Sequence, residues 1–178
     1  MASLLRSTAN GLTVARAVVG LPLILAFEGG WYGLAWWLLL LAGLSDAADG
    51  WLARRAGGGS SWGARLDPLT DKVLIAAPLI WLASTGALPS WAIWLLMARE
   101  LLISGWRSQA LDGAPASSGG KIKTILQFVS LLLLLWPPGW SGSSLLVQVG
   151  WWLFWPSLLL AMTSAVAYLK PRSAGSLN

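Results

Sequence analysis

Residues 46–71 read DAADGWLARRAGGGSSWGARLDPLTD and hold four of the chain's seven acidic side chains, Asp46, Asp49, Asp67 and Asp71. The first pair is spaced i, i+3 and the second i, i+4, and either spacing puts two carboxylates on one face of a helix. Long apolar runs flank the stretch on both sides. Carboxylates at the inner ends of membrane helices are costly and mark function by default. The pattern therefore predicts a metal site for phosphate chemistry.

Composition sets the surroundings of that site. Of 178 residues, 56% are hydrophobic and only 11% charged. A soluble domain carries about 25% charged residues, so the chain reads as an all-α integral membrane protein. Cysteine and histidine are both absent. This excludes disulfides, zinc sites of the Cys/His type, and a Cys or His nucleophile. Carboxylates, Lys and Tyr remain for proton transfer. A bound metal must be a hard ion on oxygen ligands, such as magnesium, manganese or calcium. The net charge of +5 comes from basic residues that alternate with apolar spans. That arrangement fits topology signals and contacts to anionic substrates, not nucleic acid. Residues 1–16 lack an apolar region followed by a small-residue cleavage site, so no signal peptide is expected.

A spanning helix needs about 20 mostly apolar residues. The sequence supports six, at roughly 12–27, 31–55, 66–85, 90–111, 121–136 and 145–169. A short amphipathic lead with Leu4, Leu5 and Arg6 precedes the first and is expected on the membrane surface. Gly29 and Gly30, the Gly-rich run at 57–61, Gly86 with Pro89, the polar stretch 112–120 and the PPG at 137–139 separate them. Pro68 is expected in the first turn of the third helix, where proline is tolerated. Pro156 predicts a kink or an irregular start in the sixth. No internal repeat or second domain is evident, so residues 1–178 form one transmembrane domain. With six spans, all 12 Lys and Arg fall on the side that also holds both termini. The positive-inside rule makes that side cytoplasmic. Many of the 14 Trp gather toward the other face, including Trp31, Trp36, Trp37, Trp91, Trp94, Trp136, Trp140, Trp151 and Trp152. They read as an anchoring belt.

Asp46 and Asp49 then lie at the cytoplasmic end of the second helix, and Asp67 and Asp71 at the cytoplasmic start of the third. A hairpin brings the two ends together. Four uncompensated carboxylates would repel and take up protons, and divalent cations relieve this with a two-metal arrangement. The alternative is a set of helix-end charges paired with Arg54 and Arg65. Acidic residues do favour helix N-termini, which accounts for Asp67 and Asp71 but not for Asp46 and Asp49. Gly50 and Gly63 permit close approach of a substrate or a neighbouring backbone. Arg54, one turn after Gly50, could reach a diphosphate.

As a pattern the stretch is D-x2-D-G-x2-A-R-x8-G-x3-D-x3-D, running from Asp46 through Asp49, Gly50, Ala53, Arg54, Gly63 and Asp67 to Asp71. It resembles the signature of the CDP-alcohol phosphotransferase family at all eight fixed positions. The resemblance implies six membrane helices and two divalent cations, Mg2+ or Mn2+. It implies that Asp46, Asp49 and Asp67 are metal ligands. Asp71 would contribute to the metal site or act as the base for the attacking hydroxyl. Gly50, Arg54 and Gly63 would approach the CDP moiety. Asn10 and Arg16, on the first helix, would line the nucleotide site or serve a structural role.

Other segments resemble the phosphatidylglycerophosphate synthase branch of that family. These are NGLTVAR at 10–16, LDPLTDK at 66–72, ARE at 98–100 with Arg107, and GKIKT at 120–124 with Gln127. Thr70 departs mildly, standing where many relatives have a small apolar residue. The implied reaction transfers a phosphatidyl group from CDP-diacylglycerol to sn-glycerol 3-phosphate and releases CMP. An anionic acceptor needs a cationic pocket, for which Arg99, Arg107, Lys121 and Lys123 are the candidates. Lys121 and Lys123 read equally well as positive-inside flanks. Glu100 is a partner for Arg99, although adjacent helical residues face each other poorly. Inositol phosphate, serine or another alcohol is the alternative acceptor. A membrane prenyltransferase lacks the A-R-x8-G element, and a small magnesium channel would need polar residues through the whole span. The expected partners are the two substrates and membrane lipids, with no nucleic acid. The resemblance also implies a homodimer, although no small-xxx-small stripe calls for one. The expected location is a bacterial plasma membrane, with the site facing the cytoplasm.

Overall fold

A computed structural model describes the backbone of residues 2–55, 61–109 and 118–169, and the side chains of 11, 14–16, 18–45, 70–105 and 122–166. All regular structure among these residues is helical. The helices are α1 (Ala2–Glu28), α2 (Tyr32–Arg55), α3 (Ser61–Ser84), α4 (Ser90–Gln109), α5 (Ser118–Leu134) and α6 (Ser143–Leu169).

Glycines set the turns. The N–H of Gly30 donates to the Phe27 carbonyl and that of Trp31 to the Ala26 carbonyl, at 3.1 and 2.8 Å. This is a Schellman close to α1, and it needs the φ of +76° that Gly30 adopts without a Cβ penalty. Gly86, at φ +71°, closes α3 in the same left-handed region.

Two expectations are corrected here. The amphipathic lead is not a separate element, because α1 is one helix from Ala2 to Glu28. Extending an existing helix adds a hydrogen bond for each residue ordered, whereas a separate short helix would meet its own nucleation cost. Helix α3 begins at Ser61, so Pro68 lies two turns inside it and not in its first turn. Proline brings no N–H to the ladder there, nor does Pro78 further along, so α3 continues through two positions without a donor.

Helix α1 packs along both α2 and α3, and α5 along α6. Slimmer contacts join α3 to α4, α4 to α6 and α2 to α5, which closes the bundle into the ring α1–α3–α4–α6–α5–α2. Small residues bring the axes close. A Cβ on Gly150 of α6 would lie 2.6 Å from the backbone nitrogen of Leu134 on α5. One on Gly43 of α2 would overlap the Phe128 ring of α5. Gly20 of α1 faces Ala77 of α3. The core is apolar, with Leu23, Phe27, Leu39, Leu79, Leu96, Leu131 and Phe154 essentially buried.

The outer surface is also apolar. Leu21, Leu25, Leu41, Leu102, Ile122 and Leu159 are exposed, as are Trp31, Trp91, Trp94 and Trp152. Among the described residues one stretch, Ser143–Val166, is long and apolar enough to cross a membrane by length and composition, with shorter apolar stretches at Tyr32–Ser45 and Ile122–Leu134. Not every Trp is an anchor. Trp36 is buried, stacks edge-on with Trp136 and Trp140, and donates its indole N–H to the Leu132 carbonyl at 2.9 Å, joining α2 to α5.

Candidate active site

The carboxylates of the signature are carried by two helices that both pack on α1. Asp46, Asp49, Gly50 and Arg54 lie in the C-terminal half of α2, and Gly63, Asp67 and Asp71 in the N-terminal half of α3. Only residues 56–60 separate the two helices. The helical backbone through both segments gives each carboxylate pair the one-face spacing expected from sequence. The side chains of Asp46, Asp49, Arg54 and Asp67 lie outside the described residues. So do those of Asn10 on α1, Arg107 on α4 and Lys121 on α5.

Asp71 is described. Its Oδ1 accepts a hydrogen bond from Nη1 of Arg16 at 2.6 Å. The Arg16 side chain is only 1% exposed and that of Asp71 36%, so the arginine is sunk between α1 and α3 while the carboxylate reaches the edge of the packing. A buried guanidinium needs a carboxylate partner of this kind. Arg16 therefore supports Asp71, a link the sequence reading had not drawn between the two residues. Thr70, beside Asp71, is buried.

A second ionic group lies on the other side of α3. Glu100, in the middle of α4, is reached by cations from three helices. Lys72 of α3 donates to its Oε2 at 2.9 Å. Arg99 of α4 donates from Nη1 to Oε1 at 2.8 Å, and the Lys123 ammonium of α5 donates to the same oxygen. Arg99 also donates from Nε to the Ala161 carbonyl at 3.0 Å and from Nη2 to Ser164 Oγ at 2.6 Å, both on α6. Its fork thus crosses from α4 to α6. Gln127, one turn beyond Lys123, is buried, and its Nε2 has no hydrogen-bond partner among the described residues.

Of the expected acceptor contacts, Arg99 and Lys123 are thus brought together, with Lys72 added. Glu100 is more than the neighbour of Arg99 that the sequence suggests: it is the common acceptor for all three cations, and the long Arg arm reaches it despite the poor facing of adjacent positions. An acid inside an apolar helix is itself a functional signal, and that signal pointed here.

A family model for CDP-alcohol phosphatidyltransferase matches residues 6–163, which takes in α1 through most of α6. The chain belongs to the CDP-alcohol phosphatidyltransferase family. Within this family, a probable phosphatidylglycerophosphate synthase of Mycobacterium tuberculosis is 39% identical over 137 residues, covering 72% of this chain and 66% of its own length. The chain thus spans just under two thirds of that relative. A CDP-diacylglycerol--glycerol-3-phosphate 3-phosphatidyltransferase of Rickettsia felis is 33% identical over 167 residues, covering 90% of this chain and 92% of its own. A protein of the same name from Shigella flexneri is 34% identical over 151 residues, 79% of each. Several curated relatives that cover most of this phosphatidyltransferase-family chain therefore carry one and the same enzyme name.

Proposed function

We propose that the protein transfers the phosphatidyl group of CDP-diacylglycerol to sn-glycerol 3-phosphate, giving phosphatidylglycerol phosphate and CMP. Family membership and the names of the relatives support the reaction class. The observation that carries the choice of acceptor is the group of cations around Glu100. Lys72, Arg99 and Lys123 meet one carboxylate, Glu100, which leaves an excess of positive charge suited to a second anionic substrate. Lys72 follows Asp71 directly, so α3 carries both part of this cation group and the last signature carboxylate. Arg107 and Lys121 complete the proposed acceptor contacts.

In this reading the acceptor hydroxyl attacks the phosphatidyl phosphorus. Its oxygen forms the new P–O bond, the bond to the bridging oxygen of CMP breaks, and CMP leaves with the electron pair. Asp71 receives the hydroxyl proton, and Arg16 holds that carboxylate in place. Gly50 and Gly63 leave room for the CDP group, Arg54 and Asn10 line its site, and the buried Arg16 acts on it through Asp71. Asp46, Asp49, Asp67 and Asp71 would hold two Mg2+ or Mn2+ ions. An all-oxygen donor set on two helices suits such hard ions, and the chain has no His or Cys to compete for them. Bound divalent ions would neutralise the diphosphate and stabilise departing CMP.

The six helices would cross the membrane with both termini cytoplasmic, placing the site at the cytoplasmic face of a bacterial plasma membrane. The exposed Leu, Ile, Val and Trp side chains around the bundle support that placement. So does the confinement of Lys and Arg to one side of the spans.

The test is an acceptor panel. Purified protein with CDP-diacylglycerol and Mg2+ is expected to release CMP with glycerol 3-phosphate and far more slowly with inositol phosphate, serine or phosphatidylglycerol. No CMP release with any alcohol would sink the enzyme reading. Faster release with an unphosphorylated alcohol would replace the acceptor.

A further inference from the structure

Glu100 has no role in the transfer just described, yet its placement is expensive. Its side chain is 7% exposed, Arg99 and Lys123 beside it are 9% and 5% exposed, and Lys72, on the more open side of the group, is 24% exposed. Three cations this close, two of them largely shut off from water, would repel one another. A lysine so placed gives up its proton or swings out to solvent. The carboxylate opposes this by dividing its oxygens, Oε2 to Lys72 and Oε1 to Arg99 and Lys123. What remains is a group with a fixed spacing and two positive charges in excess.

We propose that Glu100 is a positioning residue for the acceptor. Its carboxylate holds Lys72 and Lys123 as a preformed cradle for a phosphomonoester dianion, and Arg99 ties that cradle to α6. The inference rests on the reading that the acceptor is a phosphorylated alcohol. The division of labour follows from the donors. Arg99 spends Nε, Nη1 and Nη2 on Ala161, Glu100 and Ser164, so it serves as an anchor. Each lysine gives Glu100 one hydrogen bond, and an ammonium carries three donors. The excess of two positive charges matches the charge of a phosphomonoester dianion. Lys72 and Asp71 are consecutive residues of α3, so one turn of that helix carries both part of the cradle and the last signature carboxylate.

Two effects oppose each other when the charge of Glu100 is removed. Net positive charge rises, which attracts a dianion more strongly. The cradle also loses the group that sets its spacing. Orientation dominates in a packed interior, where a small misplacement of a charged group costs more than added long-range attraction returns. A carboxylate that merely competed with the acceptor for the lysines would give the opposite sign.

The experiment uses the full chain in lipid nanodiscs, with the variants Glu100→Gln and Glu100→Asp. For Glu100→Gln the KM for glycerol 3-phosphate is expected to rise about tenfold or more, with the KM for CDP-diacylglycerol and the saturated kcat changed by less than about threefold. Glu100→Asp, which keeps the charge, is expected to recover part of the loss. An unchanged or lower KM for glycerol 3-phosphate in Glu100→Gln overturns the proposal. If Glu100→Gln does not yield folded protein by gel filtration, Glu100→Asp decides. A rise of several-fold in the acceptor KM at an unaltered thermal midpoint supports the proposal, and an unchanged KM overturns it. Wild-type protein that prefers an unphosphorylated alcohol removes the acceptor reading and this inference with it. A wild type active on glycerol 3-phosphate, with Glu100→Gln behaving identically, removes only the role of Glu100.

Discussion

Nη1 of Arg16 lies 2.6 Å from Oδ1 of Asp71, joining residues 55 positions apart in the chain. The pair links α1, buried at the arginine, to the last carboxylate of the signature on α3, and it explains why a charged side chain is tolerated deep between two apolar helices. Removing Arg16 would leave that carboxylate without its guanidinium. In Arg16→Met, kcat is expected to fall strongly, and folding stability to drop by about 1.5–3 kcal/mol, the range for a charged hydrogen bond, because the carboxylate left behind is 36% exposed. Asp71→Asn should instead lower kcat by about 10²–10⁴ through loss of the base, with the helical circular dichroism retained. Full activity in Asp71→Asn would take that residue out of the mechanism.

Arg99 is expected to matter for stability as much as for acceptor binding. Its contacts to Ala161 and Ser164 hold α4 against α6. Each hydrogen bond from a charged donor contributes about 1.5–3 kcal/mol, so Arg99→Ala should lower the thermal midpoint clearly. Ser164→Ala, which removes one of these bonds, should lower it less. Equal midpoints for wild type and Arg99→Ala would show that the cross-tie carries no load.

Gly150 is a packing test free of any charge. A methyl group there would meet the Leu134 nitrogen at 2.6 Å and the Leu133 Cβ at 2.8 Å. Backbone cannot yield as a flexible side chain can, so Gly150→Ala is expected to destabilise by about 1–3 kcal/mol. Gly105→Ala makes the control, since nothing among the described residues lies within 4 Å of its added Cβ. The comparison is read from thermal unfolding in detergent.

Chelation tests the metal assignment directly. Activity should vanish in EDTA and return with Mg2+ or Mn2+. Calorimetry of Mg2+ binding should show the titration weakened in Asp46→Asn and Asp67→Asn. Activity that persists in EDTA would remove the metals from the proposal.

Much of the helical plan was legible in sequence because it follows from local chemistry. Apolar runs of spanning length, closed by Gly30, Gly86 and the PPG at 137–139, marked the helices to within a few residues. The larger misses were at helix starts. Ser61 opens α3 ahead of Pro68 because an apolar-run criterion does not see a helix extending through polar residues. The continuous Ala2–Glu28 was split for the same reason.

The sequence by itself determined the family and the spacing of the signature. Asp46, Asp49, Asp67 and Asp71 are held at i, i+3 and i, i+4 by helical geometry that each short segment carries within itself. The tertiary structure alone decided the partners. Arg16 meets Asp71 because α1 packs on α3, and Lys72, Arg99 and Lys123 meet at Glu100 because long side chains of α3, α4 and α5 reach one carboxylate, that of α5 from a helix not adjacent to α4 in the ring. Lys72 and Lys123 lie 28 and 23 residues from that carboxylate. No local spacing encodes such a meeting. It arises because α1, α3, α4 and α5 turn these charged side chains toward their neighbours, where an opposite charge offsets the cost of leaving water.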